Sequence, residues 1–289
     1  MARKLAFIPL VMLVLAIMAC SFTLNLPITE IKTGPTVTDD ISVPLPSNTT
    51  AVKDLNLVFG AGQMTLNPDG QDALVSGTAT YNVTDFKPQI TETGNEVRIQ
   101  QGNVDLKGIP NIGANVINEW DLTIGTTPIN FRMTAGAYQG HLELGGLDIR
   151  SLHITDGASE NNLRFSKQNL GEMSSLRYET GASKVTLTGL ANANFTNMIF
   201  KSGAGDYTLD FTGELQQDAS VDIQSGLSNL VIVMPQGTPT NLNVRGGLTN
   251  VNFSGVWSSS GNTYTIEGNG PSLTINIDMG AGNLELRNP

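Results

Sequence analysis

The chain has 289 residues, 39% of them hydrophobic, enough for one large or two ordinary domains with a core. Charged residues make up only 15% and the formal net charge is −10, which argues against a clustered basic surface and so against a nucleic-acid partner. The 31 glycines, with many Thr and Asn, disfavour long exposed helices and suit strands joined by tight turns.

At the N-terminus Arg3 and Lys4 precede an apolar run, Leu5 to Met18, that ends in Ile17-Met18-Ala19-Cys20. A basic stretch, an apolar stretch and a small residue before a cleavage point make a secretion signal. The tetrapeptide resembles a bacterial lipobox, and that resemblance implies removal of residues 1–19 and acylation of Cys20. With a single cysteine, a disulfide within the chain is excluded. Cleavage would remove two basic and no acidic residues, leaving 14 basic against 26 acidic, a net −12. No other apolar run approaches the ~20 residues of a membrane span, so the lipid alone would hold the protein outside the cytoplasm, on the cell membrane or an outer membrane. Residues 20–50, rich in Thr, Pro and Asn and lacking a sustained period, read as lipid anchor plus flexible tether, a reach on the order of 30 Å.

The rest of the chain repeats. With Gly60, Gly136, Gly157, Gly181, Gly203, Gly226, Gly247 and Gly280 as anchors, the residues five before, three before and six after each one are all apolar. Four after the anchor only Gly140 and Asn161 break the apolar rule. Period-two spacing on both sides of a glycine predicts two short strands with one face inward. From Gly136 to Gly247 the anchors are 21, 24, 22, 23 and 21 residues apart. A unit this short cannot bury its apolar face alone, so units must stack, which predicts an all-β chain, a β-solenoid (β-helix-like) of 20–24-residue two-strand coils. Glycine would supply positive φ or close backbone approach at each corner. Residues 51–118 read as a β-rich N-terminal cap and 119–289 as the solenoid repeats. The 33-residue step from Gly247 to Gly280 predicts a hairpin thrown out of the stack near Trp257.

The segments Leu57-Val-Phe-Gly-Ala-Gly-Gln-Met, Tyr81-Asn-Val83, Phe86-Lys-Pro88, Asn118-Glu-Trp-Asp-Leu122, Gly145-Gly-Leu-Asp-Ile149 and Met279-Gly-Ala-Gly-Asn-Leu284 resemble the toast-rack family of bacterial envelope proteins. That family is similar to adhesin-type β-solenoids and to the C-terminal domain of membrane regulators of the cell-wall-antibiotic response. The resemblance implies an extracytoplasmic module and supplies no catalytic residue.

No Gly-x-Ser-x-Gly, HExxH, Walker or calcium-repeat signature is present, and no cofactor or metal site is expected. His141 and Glu143 share a face but are too few for a metal. The row seven after the anchor, including Glu143, Arg164, Asp210 and Arg287, pairs opposite charges rather than gathering acids. Four before the anchor, Arg132, His153 and Arg177 fall on three consecutive coils with Lys201 nearby, a candidate ladder for a polyanionic envelope polymer, with Glu179 as its neutraliser. Trp257 is the candidate aromatic contact for a glycan or a protein, or else a plug over the end of the stack. These features predict a non-enzymatic surface lipoprotein that binds envelope polymers or protein partners. An envelope-stress module acting on a membrane sensor is the first alternative and a polysaccharide-degrading β-helix enzyme the second. Exposed ends of the stack would permit end-to-end association.

Overall fold

Alternating apolar residues on both sides of a small-residue bend oblige each strand to fold its two arms around one core. The computed structural model describes residues 28–70, 72–102, 109–111 and 115–289, so Cys20 and the secretion signal expected from the sequence lie outside the described residues. The strands in chain order are β1 (Ile28–Glu30), β2 (Val37–Pro44), β3 (Lys53–Gly70), β4 (Ala73–Tyr81), β5 (Pro88–Thr93), β6 (Glu96–Gln101), β7 (Ile109–Asn111), β8 (Asn118–Gly125) and β9 (Ile129–Glu143). They continue as β10 (Ile149–Arg164), β11 (Met173–Thr188), β12 (Phe195–Asp210), β13 (Ala219–Val233), β14 (Thr240–Phe253), β15 (Ser258–Ser260), β16 (Thr263–Ile266) and β17 (Leu273–Arg287). Among the described residues, fifteen of them form one mostly parallel sheet, while β1 pairs with β7.

The parallel ladder runs β3, β9, β10, β11, β12, β13, β17, β14. Its register aligns the repeat as the spacing requires: Leu55 with Phe131, Leu152 with Leu176, Met198 with Val221 and Ile275. Each long strand bends sharply. Phe200 and Tyr207, seven residues apart in β12, would lie ~23 Å apart along a straight strand, yet their ring centroids are 5.4 Å apart, edge to face. Both arms therefore feed one core, in which Leu176, Tyr178, Val185 and Leu187 of β11 are all buried. Connections such as 165–172 and 211–218 return the chain to the next rung and hydrogen-bond to the end of a neighbouring strand, Phe165 N–H to the Thr188 carbonyl of β11 at 2.9 Å and Phe211 N–H to the Val233 carbonyl of β13 at 2.9 Å.

The anchor glycines stack directly on one another. A Cβ at Gly136, Gly157, Gly181, Gly203, Gly226 or Gly280 would sit 3.0 Å or less from the carbonyl oxygen of the anchor on the neighbouring strand. Close approach is thus their role. Positive φ belongs instead to the second glycine of the three Gly-Ala-Gly turns, Gly62 (138°), Gly205 (149°) and Gly282 (134°).

Three expectations need correction. Residues 37–44, placed in the tether, form β2, antiparallel to β4, with Ile41 and Val43 each 1% exposed. Two buried apolar residues among Thr, Asp and Ser are too short a pattern to stand out by periodicity. Secondly, β3 is not part of a separate cap, because it shares register with β9 along both arms. The cap is built on it, from β6 with β5 and from β8, β4 and β2. Thirdly, the rungs are not in chain order at the C-terminal end, where β17 inserts between β13 and β14. With a strand on each side, the inward residues of β17, Leu273, Ile275, Ile277, Met279, Leu284 and Leu286, are all buried to 1% or less. In β14, Val244 is 7% and Phe253 45% exposed, as suits the last rung.

Candidate binding face

The outward rows of the ladder carry the candidate site, because a parallel in-register sheet places equivalent residues of successive strands side by side. Arg132, His153 and Arg177 do align on β9, β10 and β11. Lys201 lies one row over, opposite Glu179. Arg132 Nη1 is 2.8 Å from His153 Nδ1 and donates to it, since a guanidinium can only donate. That assigns the remaining proton to His153 Nε2, which lies 3.3 Å from Glu179 Oε2 and 3.2 Å from the Thr155 hydroxyl. Arg177 Nη2 reaches Glu179 Oε1 at 2.5 Å. Hydrogen bonding from Arg177, and more weakly from His153, holds the Glu179 carboxyl below its ordinary range, and the same contact raises Arg177.

The ladder is therefore a short relay that ends on one shared carboxylate. Glu179 takes up Arg177 and the imidazole, as its place in the sequence suggested. The Arg132 guanidinium stays exposed at one end, and Lys201 stands half-buried at the other beside Ser202, Gln224 and Asp278.

Neighbouring rows are amide and hydroxyl ladders. Asn130 Nδ2 donates to Asp54 at 2.8 Å and the Ser151 hydroxyl to Asn130 at 3.0 Å. On the second arm, Asn229 Nδ2 donates to Asp206 at 2.7 Å and Asn283 Nδ2 to Asn229 at 2.9 Å. Opposite charges pair across strands, Lys184 with Glu160 at 2.9 Å and Arg164 with Glu143 at 3.8 Å. His141 is exposed, and no group of three metal-ligating side chains occurs among the described residues.

Trp257 does not offer an exposed ring. It is 6% exposed and, with Tyr264 and Ile266 at 8% and 4%, covers the end of the core over the first arm of β14. An indole in an otherwise polar hairpin gains more by closing an open core than by standing in water.

A buried polar cluster inside the bend was not singled out from the sequence. Asp156, 5% exposed, accepts hydrogen bonds from the Tyr178 hydroxyl at 2.6 Å, from Ser159 at 3.1 Å and from Thr180. Asn161 Nδ2 donates to the Tyr138 and Tyr178 hydroxyl oxygens at 2.6 and 2.7 Å. Burial pushes both phenols well above the ordinary tyrosine range, and the nearby Asp156 charge adds to it. The signal was the pair of exceptions four after the anchor: Gly140 leaves the space that the Asn161 amide and the Tyr138 ring occupy.

Residues 32–174 match the family model described as the N-terminal domain of toast_rack, DUF2154. Over this segment the chain is similar to the toast_rack N-terminal domain. The match runs from before β2 to the first residues of β11, crossing both the 50/51 and the 118/119 boundaries read from the sequence. No curated protein matches the chain. Among solved structures, a candidate cell adhesion protein from Clostridium sporogenes is 17% identical, with 88% of this chain and 100% of that one covered and a TM-score of 0.47. A candidate adhesin from Bacteroides fragilis is 12% identical, with coverages of 89% and 99% and a TM-score of 0.37. A candidate lipid binding protein from Parabacteroides distasonis is 10% identical, with coverages of 89% and 99% and a TM-score of 0.39. All three stay below 0.5 in TM-score, so the architecture rests on the strand register alone.

Proposed function

We propose that this protein is a non-enzymatic bacterial surface lipoprotein, acylated at Cys20, whose ladder is a β-solenoid scaffold that binds an extended envelope polymer along its outward rows. The observation that carries the reading is the in-register alignment of Arg132, His153 and Arg177, with Lys201 one row over opposite Glu179, beside rows of Asn, Ser and Thr. Side chains repeating every ~4.8 Å on a stiff frame match a ligand that itself repeats, and each contact can be weak because many are made together. The exposed Arg132 and the half-buried Lys201, at the two ends of the relay, would meet the ligand's negative charges.

The test is retention of the full chain, solubilised in detergent, on isolated cell envelope before and after its glycan polymers are stripped. The reading expects retention that falls with stripping and with salt, and that weakens several-fold in an Arg132→Ala/Lys201→Ala double variant. Retention that survives stripping would overturn polymer binding in favour of a protein partner. Lipid labelling that persists in Cys20→Ala would overturn the anchor.

A further inference from the structure

The outward rows of the first arm continue past the ladder onto the cap strand β6. Its register with β3 puts Arg98 beside Asn56, so the row that holds Arg132, His153 and Arg177 begins with a further guanidinium. Val97 and Ile99 are buried, which turns Glu96 and Arg98 to the outer face. Two residues away along the strands, about 6.6 Å, runs a second row of Glu96, Asp54, Asn130 and Ser151. Both rows line an open cavity of about 330 Å³, with Asp54, Glu96 and Asn130 from one and Asn56, Arg132 and His153 from the other.

The charges around this cavity are not matched within the protein. Asp54 and Glu96 stand directly opposite each other on β3 and β6, a like-charge pair that works against the sheet. Each accepts one amide, Asp54 from Asn130 at 2.8 Å and Glu96 from Asn56 at 2.7 Å, and among the described residues neither meets a cation. The guanidinium groups of this row end likewise meet no carboxylate: Arg132 binds His153 Nδ1 at 2.8 Å, and Arg98 Nε donates to Gln100 at 2.8 Å. Elsewhere on the sheet the same residue types do pair, Lys184 with Glu160, Arg164 with Glu143 and Arg177 with Glu179. Two uncompensated carboxylates one row from an uncompensated guanidinium are complementary to a ligand group that carries both signs.

We infer that the polymer bound along the rows is zwitterionic, its anionic group on Arg132 and a primary ammonium roughly 6 Å away between Asp54 and Glu96. This rests on the polymer-binding reading and adds the charge pattern of the ligand. An ammonium has three donors, and each carboxylate keeps lone pairs beyond its single amide contact, so one ammonium can bridge both and relieve their repulsion. The charge of the whole chain argues the same way. At a formal net −10 it repels a purely anionic polymer over most of its surface, and a ligand that carries its own cations lowers that cost.

The test is isothermal titration of the full chain in detergent with a synthetic phosphodiester polymer bearing one primary amine per repeat unit. The comparison is the same polymer after N-acetylation, which removes the ammonium and keeps every phosphate. The inference expects the amine form to bind at least ~5-fold more tightly, and that ratio to fall to about 1 in Asp54→Asn/Glu96→Gln. Both substitutions keep an acceptor for Asn130 and Asn56, and a melting temperature no lower than that of wild type verifies the fold. Arg132→Gln is expected to weaken both polymers and to leave their ratio unchanged. An acetylated polymer that binds as tightly as the amine form overturns the inference while polymer binding stands. A ratio that survives the loss of both carboxylates overturns it as well, and absence of binding to either polymer at about 1 mM overturns both readings.

Discussion

Asp156 shows how one buried carboxylate can organise a corner. Its oxygens accept from Tyr178, Ser159 and Thr180. Removing it leaves several buried hydroxyls without an acceptor, each a cost of about 1–3 kcal/mol. Asp156→Ala is expected to lower unfolding free energy by about 3 kcal/mol in urea titration, and an unchanged midpoint would mean the cluster is not buried as described. The phenols give a second check. Tyr81, which donates to Asp39 at 2.6 Å, is pushed up to about 12 by burial and by that bond, and burial also raises Tyr138 and Tyr178 well above the ordinary range. A phenol whose folded pKa is raised contributes stability that is complete below its unfolded value of ~10 and is lost as pH rises through the folded value. Stability should therefore fall above pH ~10, and phenolate absorbance in the native protein should lag that of the denatured chain. Superimposable titrations would contradict the burial of these rings.

The glycine column allows a comparison at the scale of the strand. A methyl at Gly181 would press on the Gly157 carbonyl, while at Gly247, on the last rung, it would meet only the Gly280 oxygen at 3.7 Å. Gly181→Ala is expected to cost about 1–3 kcal/mol, and Gly247→Ala to be neutral or to stabilise by about 0.5 kcal/mol through the unfolded chain. Equal effects in thermal unfolding would argue against direct stacking of the anchors. The repeating strands were legible in the sequence because period-two apolar residues about a fixed glycine leave few alternatives. What was not legible has physical causes. The short edge strand β2 buries only Ile41 and Val43, too little to rise above a Thr-rich background. The insertion of β17 ahead of β14 is a matter of which rung neighbours which, and apolar spacing, the same on every rung, does not encode it. In the candidate site, the alignment of Arg132, His153 and Arg177 followed from register. Glu179 as the neutraliser of that ladder and Trp257 as a plug over the end of the stack were both readable from the sequence, and only the choice between an exposed and a buried indole depended on the path of the hairpin; the Asp156 cluster was visible only as exceptions at Gly140 and Asn161.

At the scale of the whole molecule, the structure is a one-dimensional array closed at one end and half closed at the other. Eight long strands form the parallel ladder, so its outward rows extend over roughly 34 Å. The hairpin plug matters to that array: Trp257→Ala should destabilise by about 3 kcal/mol while leaving the far end of the ladder intact. Hydrogen exchange in that variant should accelerate in β14 and β16 before β10 and β11, and uniform acceleration would mean the ladder unfolds as one unit. The proposal that the rows bind a repeating polymer is tested most directly by the affinity of the full chain for size-fractionated envelope polymer at fixed salt. Binding along the rows predicts affinity that rises with fragment length and levels off once the fragment spans the ladder. Affinity already maximal for a single repeat unit would contradict it and place recognition in one local pocket.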